Sequence, residues 1–392
     1  MTTFVLEAAN LSIHRTKFIK TGIQEAVFQT LKHVASLRKE FPEVRILALP
    51  RIPLRLEKKI APFEDLSAEI IEAAEVEMNL NSEEIWGFDL KKMGYSPSIE
   101  FLWNTLRSAD YVHFQSLINV GPLAKRMAKP RFSITVYDLV PHLFPEFQVE
   151  HISEWYSQDY LPAIGAHIQH AICISRHTAL DLLENPTTSR IPRVSYLPWP
   201  IETPSKRDDS ALLRFRLPPK NYVLFVGSLE PRKNIESLLD GFELYKSRNP
   251  SSSVKLVLVG STGWKNASSE QRLKSSPNSR DIVRTGYVSD AELHSIIAHA
   301  AAVGMPSFYE GFGIPVANAT SLGVPVITTL GSSLPEACLG RGVFVEPSDP
   351  ESMCAGIHIA LSEYQQPQSF EALKHRTWLN YAKELLTTIL SR

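Results

Sequence analysis

Two cations stand side by side in "VGSLEPRKNIESLLDGF" (226–242), where a β-branched apolar run gives way to helical periodicity. They are Arg232 and Lys233. Backbone N–H groups at a helix start attract anions, and a guanidinium fork beside an ammonium makes a clamp for a diphosphate there. The alternative is a pair of solvated loop charges. Cations disfavour a helix N-terminus, however, so the pair points to a bound anion. A second stretch, "PSFYEGFGIPVANATSLG" (306–323), puts Glu310 where a strand should stop. Gly311 and Gly313 let the chain pass close to a ligand, and Pro315 suits a first helical position. The N–H groups of Phe312, Gly313 and Ile314 are expected to point into a crevice. Beside them Glu310 either accepts hydrogen bonds from sugar hydroxyls or caps the helix. Asn318 follows inside that helix.

Other loops carry weaker signals. In "LVLVGSTGWKN" (256–266), Gly260 and Gly263 serve either an ordinary turn or the close approach of a ligand. In "RTGYVSDAELHSII" (284–297), Ser289 and Glu292 form a capping box. Tyr287 and Val288 precede it at a strand end, where exposed backbone can read the edge of a planar base; otherwise Tyr287 stacks on its neighbours. No G-x-G-x-x-G stands in these loops, which disfavours a dehydrogenase. His167 and His170 have the spacing of one helix face, but no carboxylate or cysteine completes a ligand set, so no metal site is expected. His142 and His177 read as ordinary surface or core residues. Cys173, Cys338 and Cys354 are scattered without C-x-x-C spacing. Cys173 reads as a small buried residue in a strand.

These loops need strands to end at them. Short apolar runs alternate with helical stretches along the chain of 392 residues. Strands are expected at 3–8, 44–49, 111–115, 132–138, 170–175 and 193–198, then at 222–227, 255–260, 282–287, 301–307, 324–329 and 342–347. Such alternation predicts α/β architecture with parallel, doubly wound sheets. A proline- and charge-rich stretch, 198–221, interrupts it and reads as a linker. The expected division is 1–200, a linker at 201–220, 221–370, and a C-terminal helix at 371–392 that packs back on the first domain. Two open sheets leave a crevice between their strand ends, where ligands bind. Residues 53–108 break the alternation and read as an insertion or lid with no assigned role. Charge is balanced, with 41 Lys and Arg against 42 Asp and Glu, which argues against nucleic acid. Neither a signal peptide nor a membrane span is expected. "RIPLRLEKKIAPF" (51–63) reads as a loop and solvated helix, with peripheral membrane contact as the lesser option.

Taken together in this order, "VGSLEPRKN", "VLVGSTGW", "TGYVSDAEL" and "PSFYEGFGIPVANATSLGVPVITT…SSLPE" resemble the family 4 glycosyltransferases of GT-B fold. These are retaining enzymes that use nucleotide-sugars, and the bacterial mannosyltransferases of lipopolysaccharide and O-antigen assembly are the nearest subgroup. The first half joins through "TGIQEAVFQTL", "YDLVPHLFPE" and "CISRHTALDLL". The resemblance implies two Rossmann-like domains, a hexosyl transfer to a hydroxyl acceptor such as a lipid-linked glycan, and no metal or other cofactor. GDP-mannose is the favoured donor, with UDP- and dTDP-sugars open. The catalytic set would be Glu310, Asp138, Lys233 and Arg232. Donor binding would use Gly22, Ser228, Arg232, Lys233, Gly260, Tyr287, Val288, Glu310, Gly311, Phe312, Gly313, Ile314 and Asn318. Tyr137 and Asp138 would face the acceptor and sugar, Asp138 having a turn-capping role as its alternative. The scattered cysteines fit a reduced cytoplasm, with the inner face of the membrane as a site of peripheral contact. The sequence departs from the family in two places. Tyr137 stands where the family has His, and Asn318 where a second Glu binds the ribose. An epimerase, a phosphorylase or a non-catalytic sugar-nucleotide binder are the competing readings.

Overall fold

The computed structural model describes residues 2–8, 22–50, 107–115, 131–201, 207–263, 265–362 and 376–391. The insertion read at 53–108 and the basic-apolar stretch 51–63 fall almost wholly outside them. Twelve strands form two six-stranded sheets among the described residues, parallel throughout. In the first half they are β1 (Thr2–Ala8), β2 (Val44–Pro50), β3 (Tyr111–Phe114), β4 (Arg131–Val136), β5 (His170–Cys173) and β6 (Arg193–Tyr196). In the second half they are β7 (Tyr222–Val226), β8 (Lys255–Val259), β9 (Ile282–Gly286), β10 (Ala302–Met305), β11 (Val326–Thr328) and β12 (Val343–Phe344). Each falls on an expected run, because strands buried on both faces must be apolar almost throughout.

The second sheet runs β12-β11-β10-β7-β8-β9. Its first three strands step outward one way from β7, and the next three step the other way from β10. The order therefore reverses between β7 and β10, and an open sheet holds its ligand beyond the strand ends at such a switch. The loop after β7 carries Arg232 and Lys233, and the loop after β10 carries Glu310. The first sheet, β2-β1-β3-β4-β5-β6, has its own switch beside β1.

The stretch between the sheets is partly helical, which its poor periodicity did not suggest. A short helix, Ser210–Arg214, docks on the helix Asp290–His299 of the second half. Arg214 and the Ser210 hydroxyl both reach Glu292, at 2.8 and 3.1 Å. The helix Trp378–Leu390 packs on the first-half helix Gly22–Ser36, and Lys383 pairs with Glu40 across them. Trp199 links this helix to β4, meeting Tyr137 at 5.9 Å and Trp378 at 5.6 Å between ring centres. Ile201 N–H donates to the Arg376 carbonyl at 2.8 Å, so the two passages of chain between the halves lie side by side.

His170 is the first residue of β5, whereas His167 ends the helix Leu161–His167, so the two share no helix face. Each buried imidazole of the first sheet has a structural partner. His113 in β3 meets the hydroxyls of Ser133 and Thr135 at 2.9 and 3.0 Å, and His170 meets Ser195 at 2.9 Å. Burial, with the His170 charge nearby, pushes the pKa of His113 from 6.5 down to about 3. The folded chain thus keeps His113 neutral while the unfolded chain protonates it. Stability is then full above pH 6.5 and is lost as pH falls towards 3. The expected melting curve is flat above neutrality and declines on acidification. His113→Asn should make the decline shallower, His170 supplying part of what remains. A melting temperature unchanged between pH 7 and 4 would refute this.

Candidate functional site

The loop after β7 makes one tight turn, Pro231–Lys233, before the helix Ile235–Arg248 starts. Asn234 joins them in a left-handed conformation, φ 53°. Its side-chain amide donates to the carbonyls of Pro306 and Pro347, at 3.2 and 2.8 Å. The Phe308 N–H donates to the Arg232 carbonyl at 2.9 Å. The β7 and β10 loops are thereby stitched edge to edge. Gly227 leaves room for the stem of Lys233, whose Cδ would lie 2.9 Å from a Cβ there.

Glu310 sits at the centre of the stitched loops and is 8% exposed. Arg232 holds its Oε2 at 2.8 Å, while Lys233 and the Ser307 hydroxyl both hold its Oε1 at 2.9 Å. The Ser332 hydroxyl accepts its N–H, and the Ser333 hydroxyl donates to its carbonyl. Burial alone would raise the Glu310 pKa. The two cations win, and it falls to about 2. A carboxylate has about four lone-pair sites, so three bonds leave Glu310 room for roughly one more donor.

Glu230, unremarked in the sequence reading, completes the cluster. It is 2% exposed, its Oε1 lies 2.8 Å from Arg232, and its Oε2 is buried with no partner among the described residues. Its position two residues before Arg232 is the one sequence signal that could have found it. Ser228 lies half-buried in the same loop, its hydroxyl 3.4 Å from Glu230.

The helix Ile314–Ser321 follows Glu310. It begins at Ile314, so Pro315 is its second residue and not its first. Gly313 caps it with φ 87°, a conformation that suits glycine. The Phe312 ring goes into the core, leaving only its backbone for a ligand. None of the four consecutive N–H groups of Gly311, Phe312, Gly313 and Ile314 meets an acceptor among the described residues. The Asn318 side chain, half-buried within this helix, also makes no hydrogen bond among them.

From the first half, Asp138 arrives at the end of β4. Its Oδ1 accepts the Val140 N–H at 3.0 Å, so the turn-capping role is real and one oxygen is left over. Burial raises its pKa, and the charge of Arg232 opposes the rise. A widened helical turn at Tyr156–Tyr160 brings the Tyr156 hydroxyl onto the Asp138 carbonyl. Tyr137 differs from its expected use. Its ring is in the core and its hydroxyl donates to the Gln115 carbonyl at 2.8 Å, while the next residue, Asp138, takes the crevice side. What Tyr137 contributes to the seam is its backbone, against Gly311.

Gly227, Gly260 and Gly286 end adjacent strands. Gly260 N–H donates to the Gly286 carbonyl at 3.0 Å, and a Cβ on Gly260 would fall 2.2 Å from the Gly227 carbonyl. Tyr287 is 52% exposed beyond β9, whereas the Val288 side chain is buried. Both lie along the same sheet edge, three strands from Glu310 and out of contact with it. Gly22 opens its helix, and the preceding loop lies outside the described residues. Among the described residues no group of three or more His, Cys, Asp or Glu is placed to hold a metal ion.

Residues 214–375 match the family described as glycosyl transferases group 1. The chain is similar to O-antigen chain mannosyltransferase B of Escherichia coli, at 35% identity over 156 residues, which cover 39% of this chain and 40% of that protein. It also resembles mannosylfructose-phosphate synthase of Agrobacterium fabrum, at 27% identity over 43% of this chain and 40% of the other. The chain thus spans less than half the length of these curated relatives. Two solved structures match along the whole chain: HepE of Anabaena in complex with UDP-glucose, and sucrose-phosphate synthase of Thermosynechococcus elongatus. Their TM-scores are 0.60 and 0.62, with 12% and 17% identity, and the matches cover 96% and 95% of those chains. The fold is GT-B, two Rossmann-like units of α/β type, and the chain resembles GT-B glycosyltransferases of O-antigen assembly.

Proposed function

We propose that the chain is a glycosyltransferase that moves a hexosyl group, with mannose favoured, from a nucleoside diphosphate-sugar to a hydroxyl acceptor. One observation carries this reading: the site lacks acceptors on one side and donors on the other. Four backbone N–H groups at Gly311–Ile314 await an acceptor beside Arg232 and Lys233. Glu310 has room for one more donor. A phosphate brings acceptors without donors, and a sugar brings hydroxyl donors. A molecule that is both, joined end to end, satisfies each side.

In this reading Glu310 holds the sugar, Glu230 holds Arg232 in place at 2.8 Å, and Arg232, Lys233 and the amide nest hold the diphosphate. As the glycosidic bond breaks, negative charge grows on the departing phosphate, and these fixed donors stabilise it without reorganising. No metal is required for that role, nor a side-chain nucleophile. Retention of configuration follows from a front-face displacement assisted by the leaving phosphate. Asp138 orients the acceptor hydroxyl with its remaining oxygen. The base lies towards Gly260, Tyr287 and Val288, and Asn318 takes the ribose. GDP-mannose is our first choice of donor and a lipid-linked glycan our choice of acceptor. Among the described residues no helix is long and apolar enough to cross a membrane. We place the protein in the cytoplasm, with peripheral contact at the membrane as its route to such an acceptor.

The direct test is a thermal-shift panel of GDP-, UDP-, ADP- and dTDP-sugars, because a ligand of the folded state raises the melting temperature. One nucleotide should stand out, and its free diphosphate should be released when acceptor is added. No shift with any of them would refute the donor site. Asn318→Glu should tighten that donor by about 1 kcal/mol, about fivefold, by restoring a charged acceptor to the ribose. Equal titration curves for the two proteins would remove Asn318 from the site.

A further inference from the structure

The helix Arg176–Glu184 belongs to the first half, yet its N-terminal turns hold the second. The first N–H groups of any helix lack partners within it. Here the Ser175 hydroxyl takes the Thr178 N–H at 3.0 Å. The Arg176 and His177 N–H groups are taken by Glu336, at 3.1 and 3.2 Å, from the far side of the crevice. A carboxylate is well placed there, since the helix dipole favours negative charge at that end. The Thr178 hydroxyl touches the carbonyls of Tyr137 and Gly311, one from each half. One turn further on, Asp181 accepts a hydrogen bond from the Tyr309 hydroxyl.

Tyr309 is the residue before Glu310. It is 3% exposed, and its ring lies between Phe144 at 5.4 Å and His177 at 5.6 Å, both from the first half. Its carbonyl accepts a hydrogen bond from Arg232. Its hydroxyl is therefore fixed by one half while its backbone fixes the cation and carboxylate of the other. A buried tyrosine hydroxyl needs a partner, and Asp181 is the partner that the closed crevice provides.

We propose that Asp181 is a positioning residue: acting through Tyr309, it sets Arg232 and Glu310 in their working places, and the Glu336 cap makes this conditional on closure of the two halves. The catalytic consequence rests on the glycosyltransferase reading; the closure does not. Small displacements of a reacting group can cost up to about 100-fold in rate, so Asp181→Ala and Tyr309→Phe should each lower kcat about 10- to 100-fold with little change in KM. Asp181→Asn keeps a hydrogen-bond acceptor and should recover most of the loss. The double variant should be no slower than the slower single one, because both break one contact. Wild-type kcat in a folded Asp181→Ala, or additive losses in the double variant, would overturn the proposal. Amide hydrogen exchange provides a readout independent of turnover. Protection of the Arg176 and His177 N–H groups should fall in Tyr309→Phe and in Glu336→Gln. If the wild type transfers no sugar, the glycosyltransferase reading fails, and exchange still decides the closure. Protection unchanged in Tyr309→Phe would then overturn the coupling.

Discussion

Glu310→Ala is expected to abolish transfer and to destabilise the chain as well. From the sequence, this substitution should remove activity and leave the fold intact. The structure adds a second cost. Arg232 and Lys233 both close on this carboxylate, and their side chains are 13% and 12% exposed. Removing one partner of a buried charge cluster leaves the others uncompensated, at about 3–5 kcal/mol in comparable cases. Part of that will be recovered here, since Glu230 remains beside Arg232 at 2.8 Å. Glu310→Gln separates the two effects. It keeps the shape and one acceptor but not the charge, so part of the stability should return, while a rate loss on the order of 100-fold persists. Lys233→Ala should match the rate loss, through the leaving phosphate. Product release followed beside the melting temperature checks all three. Near-normal turnover in both Glu310→Gln and Lys233→Ala would remove them from the site.

Gly311→Ala is expected to cut kcat/KM by about 100-fold while each half keeps its own fold. The reason is room, not backbone freedom, for Gly311 lies outside the left-handed region. A methyl group there would sit 2.3 Å from the Tyr137 carbonyl oxygen and 3.1 Å from Asp138 Cβ. Neither a strand-end carbonyl nor a Cβ can swing aside as a long side chain would. Overpacking of this kind costs about 1–3 kcal/mol in a closed core. In this chain the strain has an outlet, because the two contacts belong to opposite halves. The crevice opens, and Asp138 parts from Glu310. Small-angle scattering should show a larger radius of gyration with a nearly unchanged melting temperature. Full activity in the variant would show that the seam does not close this tightly during turnover.

What could be read from the sequence was local. The strands of both sheets were visible because parallel strands buried on both faces are apolar throughout, and "YVLFV" and "KLVLV" have few other uses. Arg232, Lys233 and Glu310 were visible because each follows such a strand by a few residues. What stayed hidden was long-range. Tyr309 and Asp181 are 128 residues apart, and Glu336 and Arg176 are 160 apart. No local pattern says that a carboxylate will cap a helix in the other half. Glu230 was hidden for another reason. A Glu near an Arg in a loop is commonplace, and only burial of the pair makes it part of a site. Tyr137 was misjudged because nothing local shows that its ring packs on Trp199 and its hydroxyl meets the Gln115 carbonyl.

The chain passes between its halves twice, once on each side of the second domain, and Ile201 is bonded to Arg376 where those passages meet. Two adjacent passages joined at one side of the crevice suit a hinge there, and the motion expected of such a hinge is the opening and shutting of a jaw. The stack of Phe147 on Phe308 and the tilted contact of Phe144 with Tyr309 are then the teeth of the jaw. Its bite has one register, so in the proposed function a donor gripped by the second half is brought to Asp138 at one place.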